Sequence, residues 1–314
     1  MAFWKVKNRA LLIVETPFQL LCAYEYIQRI DSEYDLFIRK SMVGINDEQI
    51  KMMITDLDLK VTAFLHVKPG CNKHLIIASL KFLFYSRRSY SQVVLGSFFS
   101  GLQQFLATLV FKKKLVLLDD GVASLLADQI IREKHPMHYS AFSLFHLDKS
   151  SYCEYLTNDF RNLSAKYLQD GPRQGSFFIG QKLVEIGAIS LADYQRTVLL
   201  CAESCQDVLY YIPHRAESEN TINSLSKFDN IKILHMDVAV EYYFLKNNIY
   251  PINVYSIIST ALFSINCLFP SSKIVVLHPA ELKRSLFVHY QLIQEEFLKI
   301  SDVVFLDVDS TCAN

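Results

Sequence analysis

The sequence predicts an α/β fold built of two Rossmann-like halves, each a parallel sheet with helices on both faces. Three observations carry this. Short apolar runs alternate with longer amphipathic segments from one end of the chain to the other. The runs are rich in β-branched and aromatic residues and are bounded by polar or turn residues, as buried parallel strands are. The series is interrupted by a loop-like segment, Asp170-Gly-Pro-Arg-Gln-Gly175, so the chain divides into 1–170 and 171–314.

In the first half the expected strands are Leu11–Glu15, Asp35–Arg39, Val61–Val67, Gln92–Gly96 and Lys114–Leu118. In the second they are Ser176–Ile179, Val208–Ile212, Ile231–Leu234, Asn253–Tyr255, Ile274–Leu277 and Val303–Leu306. The helical pattern is clearest over Pro17–Ile30, where Leu20, Leu21, Tyr24 and Ile27 fall on one stripe. Ser190 followed by Asp193 resembles a capping box opening a helix that runs to about Cys205. Two open sheets of this kind bind ligands beyond the carboxyl ends of their strands, and a central cleft between the halves is the expected active site.

Composition narrows the function. The 314 residues are 51% hydrophobic and 20% charged, with formal net charge +0. No global field therefore recruits nucleic acid, and none is expected as a partner. The seven cysteines are scattered, with no compact CxxC pair to hold zinc, so a reducing, cytoplasmic setting is expected. The apolar run Ala10–Val14 is too short for a signal peptide and ends at Glu15. Ile257–Phe269 is about half a membrane span, so no transmembrane helix is expected. Peripheral contact with an inner membrane through Lys5, Lys7 and Arg9, and a homodimer, are left open.

The polar residues at strand ends carry the functional argument. Lys114–Leu118 runs into Asp119-Asp120-Gly121, Ser176–Ile179 into Gly180-Gln181, and Val208–Ile212 into Pro213-His214-Arg215; Asn253–Tyr255 leads to Ser259-Thr260 at a helix start. Singly, each has an ordinary explanation as a turn, a cap or a structural histidine. Together they place an acid pair, a histidine and a hydroxyl pair at carboxyl ends in two halves. A carboxylate can take a proton from an acceptor hydroxyl. A histidine can protonate or neutralise a departing phosphate. Hydroxyls and backbone N–H groups at a helix start can hold phosphate oxygens without a metal. Neither GxGxxG nor a Walker lysine motif is present, which weakens dehydrogenase and P-loop readings.

These residues resemble a family. Asp119-Asp120-Gly121 resembles the acidic motif of bacterial sialyltransferases and polysialyltransferases, Tyr211-Ile-Pro-His-Arg215 their histidine motif, and Ser259-Thr260 their Ser-Ser/Thr motif. Thr16-Pro-Phe-Gln19 and Phe178-Ile-Gly-Gln181 look most like glycosyltransferase family fifty-two, which includes lipooligosaccharide sialyltransferases. The histidine motif usually reads His-Pro there, whereas Arg215 follows His214 here; His278-Pro279 comes after the hydroxyl motif and reads as a strand-end turn.

The resemblance implies an inverting, metal-independent GT-B glycosyltransferase with no cofactor. It would move sialic acid, or a related nonulosonic acid, from CMP to a hydroxyl of a lipooligosaccharide or capsule glycan. Residues 1–170 would face the acceptor and 171–314 would bind the nucleotide sugar. Asp120 would be the base, with Asp119 as fallback and Asp193 or Glu185 as alternatives from the second half. His214 would act on the leaving phosphate. Gly180, Gln181, Arg215, Glu217, Ser259 and Thr260 would bind the donor, and Gln19 is grouped with them. The alternatives are a GT-B transferase with another nucleotide sugar, and a non-catalytic capsule-assembly protein.

Overall fold

The structure is a computed structural model of the chain and describes residues 8–40, 44–68, 70–168, 173–279, 287–300 and 303–307. Lys5, Lys7 and residues 170–172 lie outside the described residues. The chain separates into two compact units, one of residues 1–162 with 237–239, the other of residues 163–236 with 240–314.

The first unit opens with β1 (Arg9–Val14), whose residues from Ala10 onward are fully buried. Thr16 then caps α1 (Pro17–Arg29): its hydroxyl accepts from Gln19 N at 3.2 Å, and Pro17 occupies the first helical position, where a missing N–H costs nothing. Strand and helix then alternate through β2 (Glu33–Lys40), α2 (Gly44–Asp56), β3 (Val61–His66), α3 (Asn72–Tyr85), β4 (Ser89–Leu95), α4 (Gly101–Thr108), β5 (Phe111–Leu117) and α5 (Val122–Lys134). Two further strands, β6 (Ser140–Ser143) and β7 (Tyr155–Thr157), complete a seven-stranded sheet of order β3-β2-β1-β4-β5-β6-β7, parallel throughout. The winding reverses between β1 and β4, which places the ligand-binding crevice of such a sheet at their carboxyl ends.

Helix α6 (Arg161–Tyr167) leads into the second unit, which repeats the scheme with β8 (Ser176–Ile179), α7 (Leu191–Glu203), β9 (Leu209–Ile212), α8 (Glu219–Leu225), β10 (Ile231–Ile233), α9 (Val240–Lys246), β11 (Asn253–Ser256), α10 (Ala261–Leu268), β12 (Lys273–His278), α11 (Phe287–Phe297) and β13 (Val303–Asp307). Its six strands run β10-β9-β8-β11-β12-β13, again all parallel, with the reversal between β8 and β11. Phe178, Tyr194, Tyr211 and Val275 are among the side chains that fill one side of this sheet. Ser190 is the N-cap of α7, accepting from Asp193 N at 3.1 Å, while the Asp193 carboxylate accepts from the Ser190 hydroxyl rather than from its backbone N–H as a full capping box would.

Each strand expected from the sequence is found, within a few residues of its expected bounds. The sequence does not disclose β6 and β7, because neither SAFS nor YLT is an apolar run. Pairing makes them strands: Leu117 stands opposite Ala141, and Ala141 opposite Tyr155.

Candidate active site

At the carboxyl edge of the first sheet, polar residues from several elements meet in one hydrogen-bonded network. Its centre is Gln19, on the first turn of α1 and only 1% exposed. Gln19 Oε1 accepts from Glu15 N at 3.0 Å and from Gln103 Nε2 at 3.4 Å, and Gln19 Nε2 donates to Asp120 Oδ1 at 2.8 Å. Gln103, fully buried on α4, also donates to Glu15 Oε1 at 3.0 Å and accepts from Ser97 N at 3.0 Å. Arg39, near the end of β2, pairs with the second oxygen of Glu15. Gly96 is required by this packing: a Cβ there would lie 2.2 Å from Gln19 Oε1. The ends of β1, β2, β4 and β5 are thus tied together where the winding reverses.

The two aspartates of this edge differ in environment. Asp119 is 1% exposed; its Oδ1 accepts from Ser143 Oγ at 2.5 Å and its Oδ2 from Leu144 N at 2.8 Å. Burial pushes its carboxyl up to about 7, against the pull of those hydrogen bonds. Asp119 therefore fastens the end of β5 to the turn after β6. Asp120 is half-buried. Burial raises its carboxyl and the charge of Glu15 adds to the effect, while hydrogen bonds from Ser97 and Gln19 oppose it. The side chain is held in place and its proton affinity is enhanced, the two properties a general base needs. Gly121, at φ +64, turns the chain into α5.

The second unit carries its own cluster at the carboxyl edge of β8, β9 and β11. Glu217 is the hub. Its Oε1 accepts from Tyr211 Oη at 2.5 Å and Tyr194 Oη at 3.3 Å, and its Oε2 from His214 N at 2.5 Å. Burial pushes its carboxyl up to about 7. Gly180 makes room for this hub, since a Cβ there would lie 2.6 Å from both Glu217 Oε2 and Tyr211 Oη. Gln181 closes the next loop: its N–H donates to Tyr194 Oη at 3.0 Å, and its Oε1 accepts from Ile258 N at 2.9 Å and Ser256 Oγ at 3.3 Å.

His214 stands on the loop that Glu217 anchors. Its Nδ1 accepts from Ala216 N at 3.1 Å. Burial lowers its pKa, and the charges of Arg215 and Lys182 add to this. A neutral ring with Nδ1 so occupied carries its proton on Nε2 and can donate a hydrogen bond through it to an anion. Arg215 is exposed beside it. At the start of α10, Ser259 Oγ accepts from Ala261 N at 3.3 Å, and Thr260 makes no side-chain cap. The remaining carboxylates considered as bases have local duties. Asp193 caps α7. Glu185 accepts from Ser218 N at 2.9 Å and Thr221 Oγ1 at 2.7 Å; burial would raise its pKa, but these bonds outweigh it and hold it low.

The sequence-predicted residues fall into two groups. Asp119, Asp120 and Gln19 meet in the first unit, so Gln19 stands with the acidic pair. Gly180, Gln181, His214, Arg215, Glu217, Ser259 and Thr260 belong to the second. Sequence reasoning missed Gln103, Arg39, Ser143 and Tyr194, and named Tyr211 only as part of the histidine motif. Gln103 lies inside a helix and Ser143 on an unrecognised strand, so neither carried the strand-end signal.

No family model and no characterised protein sequence matches the chain. Solved structures do. An α/β-galactoside α-2,3-sialyltransferase from Photobacterium phosphoreum is similar with a TM-score of 0.56 at 12% identity, over 98% of this chain and 100% of that one. UDP-GlcNAc 2-epimerase from Methanocaldococcus jannaschii, in complex with UDP-GlcNAc and UDP, gives 0.61 at 9% identity over 96% of this chain and 89% of its own. A Photobacterium 2,6-sialyltransferase in a ternary complex with CMP and lactose gives 0.53 at 13% identity, over 95% and 78%. At these identities the likeness establishes the fold: two Rossmann-like parallel-sheet units of the GT-B class.

Proposed function

We propose that the protein is a glycosyltransferase that moves sialic acid, or a related nonulosonic acid, from its CMP-activated donor to a glycan hydroxyl with inversion. The observation that carries this reading is Asp120, a half-buried carboxylate with raised proton affinity, fixed by Gln19 at the reversal point of the first sheet. The sialyltransferase structures share the fold, and the acidic, histidine and hydroxyl motifs stand at carboxyl edges as that reading requires. Fold alone does not assign the chemistry; the side chains at the strand ends are what support this reading.

The roles divide between the units. Asp120 takes the proton of the acceptor hydroxyl as its oxygen attacks the anomeric carbon and the bond to the CMP phosphate breaks. Direct attack from the opposite side inverts the centre. His214 donates from Nε2 to the phosphate as its charge develops, and Ser259 and Thr260 hold its other oxygens at the start of α10. Arg215 faces the phosphate or the sugar carboxylate. Glu217 positions the His214 backbone and retains lone pairs for the ribose or the base. The acceptor is a glycan of lipooligosaccharide or capsule.

The test is turnover of CMP-sialic acid by folded variants. Asp120→Asn and His214→Ala should each lower kcat by about 10²–10⁴-fold, the usual contribution of an acid–base group. Asp119→Asn should act chiefly on stability. If Asp193→Asn alone were inactive, the base would lie in the second unit and the assignment of Asp120 would fall. A transferase using a uridine nucleotide sugar is the second reading, favoured by the likeness to UDP-GlcNAc 2-epimerase.

A further inference from the structure

Helix α3 exposes the wrong residues for a helix in water. Ala78 and Phe82 are buried, with Phe82 packed on Phe37 at 4.8 Å between ring centroids. On the opposite side Ile76 is 61% exposed, Leu80 63% and Phe84 81%, with Ile77 and Leu83 about half exposed. At 100° per residue these five fall within one arc about 120° wide, directly opposite the buried face. An amphipathic helix packed on a sheet normally shows a polar arc there.

The charge around this arc has one sign. Between Asp58 and Asp119 the chain has no Asp or Glu, yet it contains nine Lys and Arg, although the whole protein is neutral. On α3 itself Lys73 heads the apolar arc on the first turn and Lys81 borders it, and exposed Arg87 and Arg88 follow the C-terminus of the helix. Among the described residues, acidic side chains from other elements form ion pairs with these cations at two points: Asp35 lies 3.6 Å from Arg87, and Glu154 pairs with Lys114. The patch continues onto the start of β5, where Phe111 is 79% exposed and donates its N–H to Arg88 O at 2.9 Å. Exposed Lys113 follows.

We infer that the α3 face docks on an anionic lipid surface, with Ile76, Ile77, Leu80 and Phe84 entering the headgroup–acyl boundary and the flanking Lys and Arg meeting lipid phosphates. Among the described residues no helix is long and apolar enough to cross a membrane, and α3, at 14 residues, is too short to span one. A short helix with an apolar ridge between cations lies in the interface instead. Long Lys and Arg stems suit this, since they can stay on the apolar surface while the charge reaches the headgroups. A partner protein of ordinary composition would need a matching acidic rim; a bilayer bearing anionic lipid supplies one everywhere. The inference stands on the first unit alone and does not depend on the donor.

The test uses the full chain and sedimentation with vesicles. Vesicles containing phosphatidylglycerol should retain the protein about tenfold or more better than pure phosphatidylcholine vesicles, and salt should weaken retention. A Leu80→Ser/Phe84→Ser variant should lose retention about tenfold or more while keeping its thermal midpoint, because both side chains are exposed. Lys73→Glu/Lys81→Glu should lose it on anionic vesicles specifically. Transfer to a soluble acceptor should be unchanged in both variants, which separates failure of docking from failure of the catalytic reading. Equal retention of wild type and variants, or none of the wild type, would overturn the inference. So would a wild-type dimer that the Leu80→Ser/Phe84→Ser variant converts to monomer by sedimentation velocity, since the face would then belong to a second copy.

Discussion

Asp119 and Asp120 are neighbours in sequence with opposite duties. Both oxygens of Asp119 are occupied by the β6 turn, whereas Asp120 is only partly buried and is held by Gln19 and Ser97. Burial leaves Asp120 the more accessible of the two. A similar argument at Glu217 gives a prediction. Its carboxyl is raised from 4.5 to about 7 in the folded protein, so the folded state holds this proton more tightly than the unfolded chain does. The stabilising contribution of that proton is complete below pH 4.5. It is lost as the pH rises to about 7, because the unfolded chain ionises first. Chemical denaturation of wild type and Glu217→Gln at intervals from pH 4.5 to 7.5 should show the wild type losing stability relative to the variant as pH rises. Parallel curves would mean that Glu217 titrates normally.

At the scale of elements, the strand ends are held by side-chain amides. Gln19 and Gln103 clamp the loops of the first sheet, and Gln181 joins the ends of β8 and β11 in the second. Gly96 and Gly180 lie where these networks approach the backbone. Gly96→Ala should therefore push Gln19 off Asp120. A stability loss of about 1–3 kcal/mol is expected for such overpacking, with a fall in kcat and little change in donor affinity. Unchanged kcat in a folded Gly96→Ala protein would show that Gln19 does not position the base. The strands and α1 were legible because apolar runs and the Thr-Pro start encode them locally. Strands β6 and β7 were not, and with them went Ser143, whose hydroxyl decides the fate of Asp119.

For the whole molecule, the nucleotide separates the two readings. A CMP, UDP and GDP panel in thermal denaturation should raise the midpoint most with CMP, since a ligand stabilises the state it binds by mass action. A larger shift with UDP would favour the second reading. Turnover should survive EDTA. Asp119 is already committed through both oxygens, so the adjacent pair is poorly arranged to share a metal, and His214 can answer the phosphate charge. Loss of activity restored by Mg²⁺ would point to a diphosphate donor.

The order of strands and helices, the doubling of the sheet and the strand-end motifs followed from the sequence by itself, because each rests on periodicity and turn chemistry within about ten residues. Three matters were decided only by tertiary structure. Gln19, 101 positions from Asp120, turned out to be its hydrogen-bond partner. Glu217 proved to be the hub of a tyrosine cluster. The apolar ridge of α3 came to face outward. Apolar residues surround that helix nearly all the way round, so its pattern cannot say which side meets the sheet. Burial and long-range pairing are properties of the folded chain, and they alone separate a fully buried carboxylate from a partly accessible one and a core face from an exposed one.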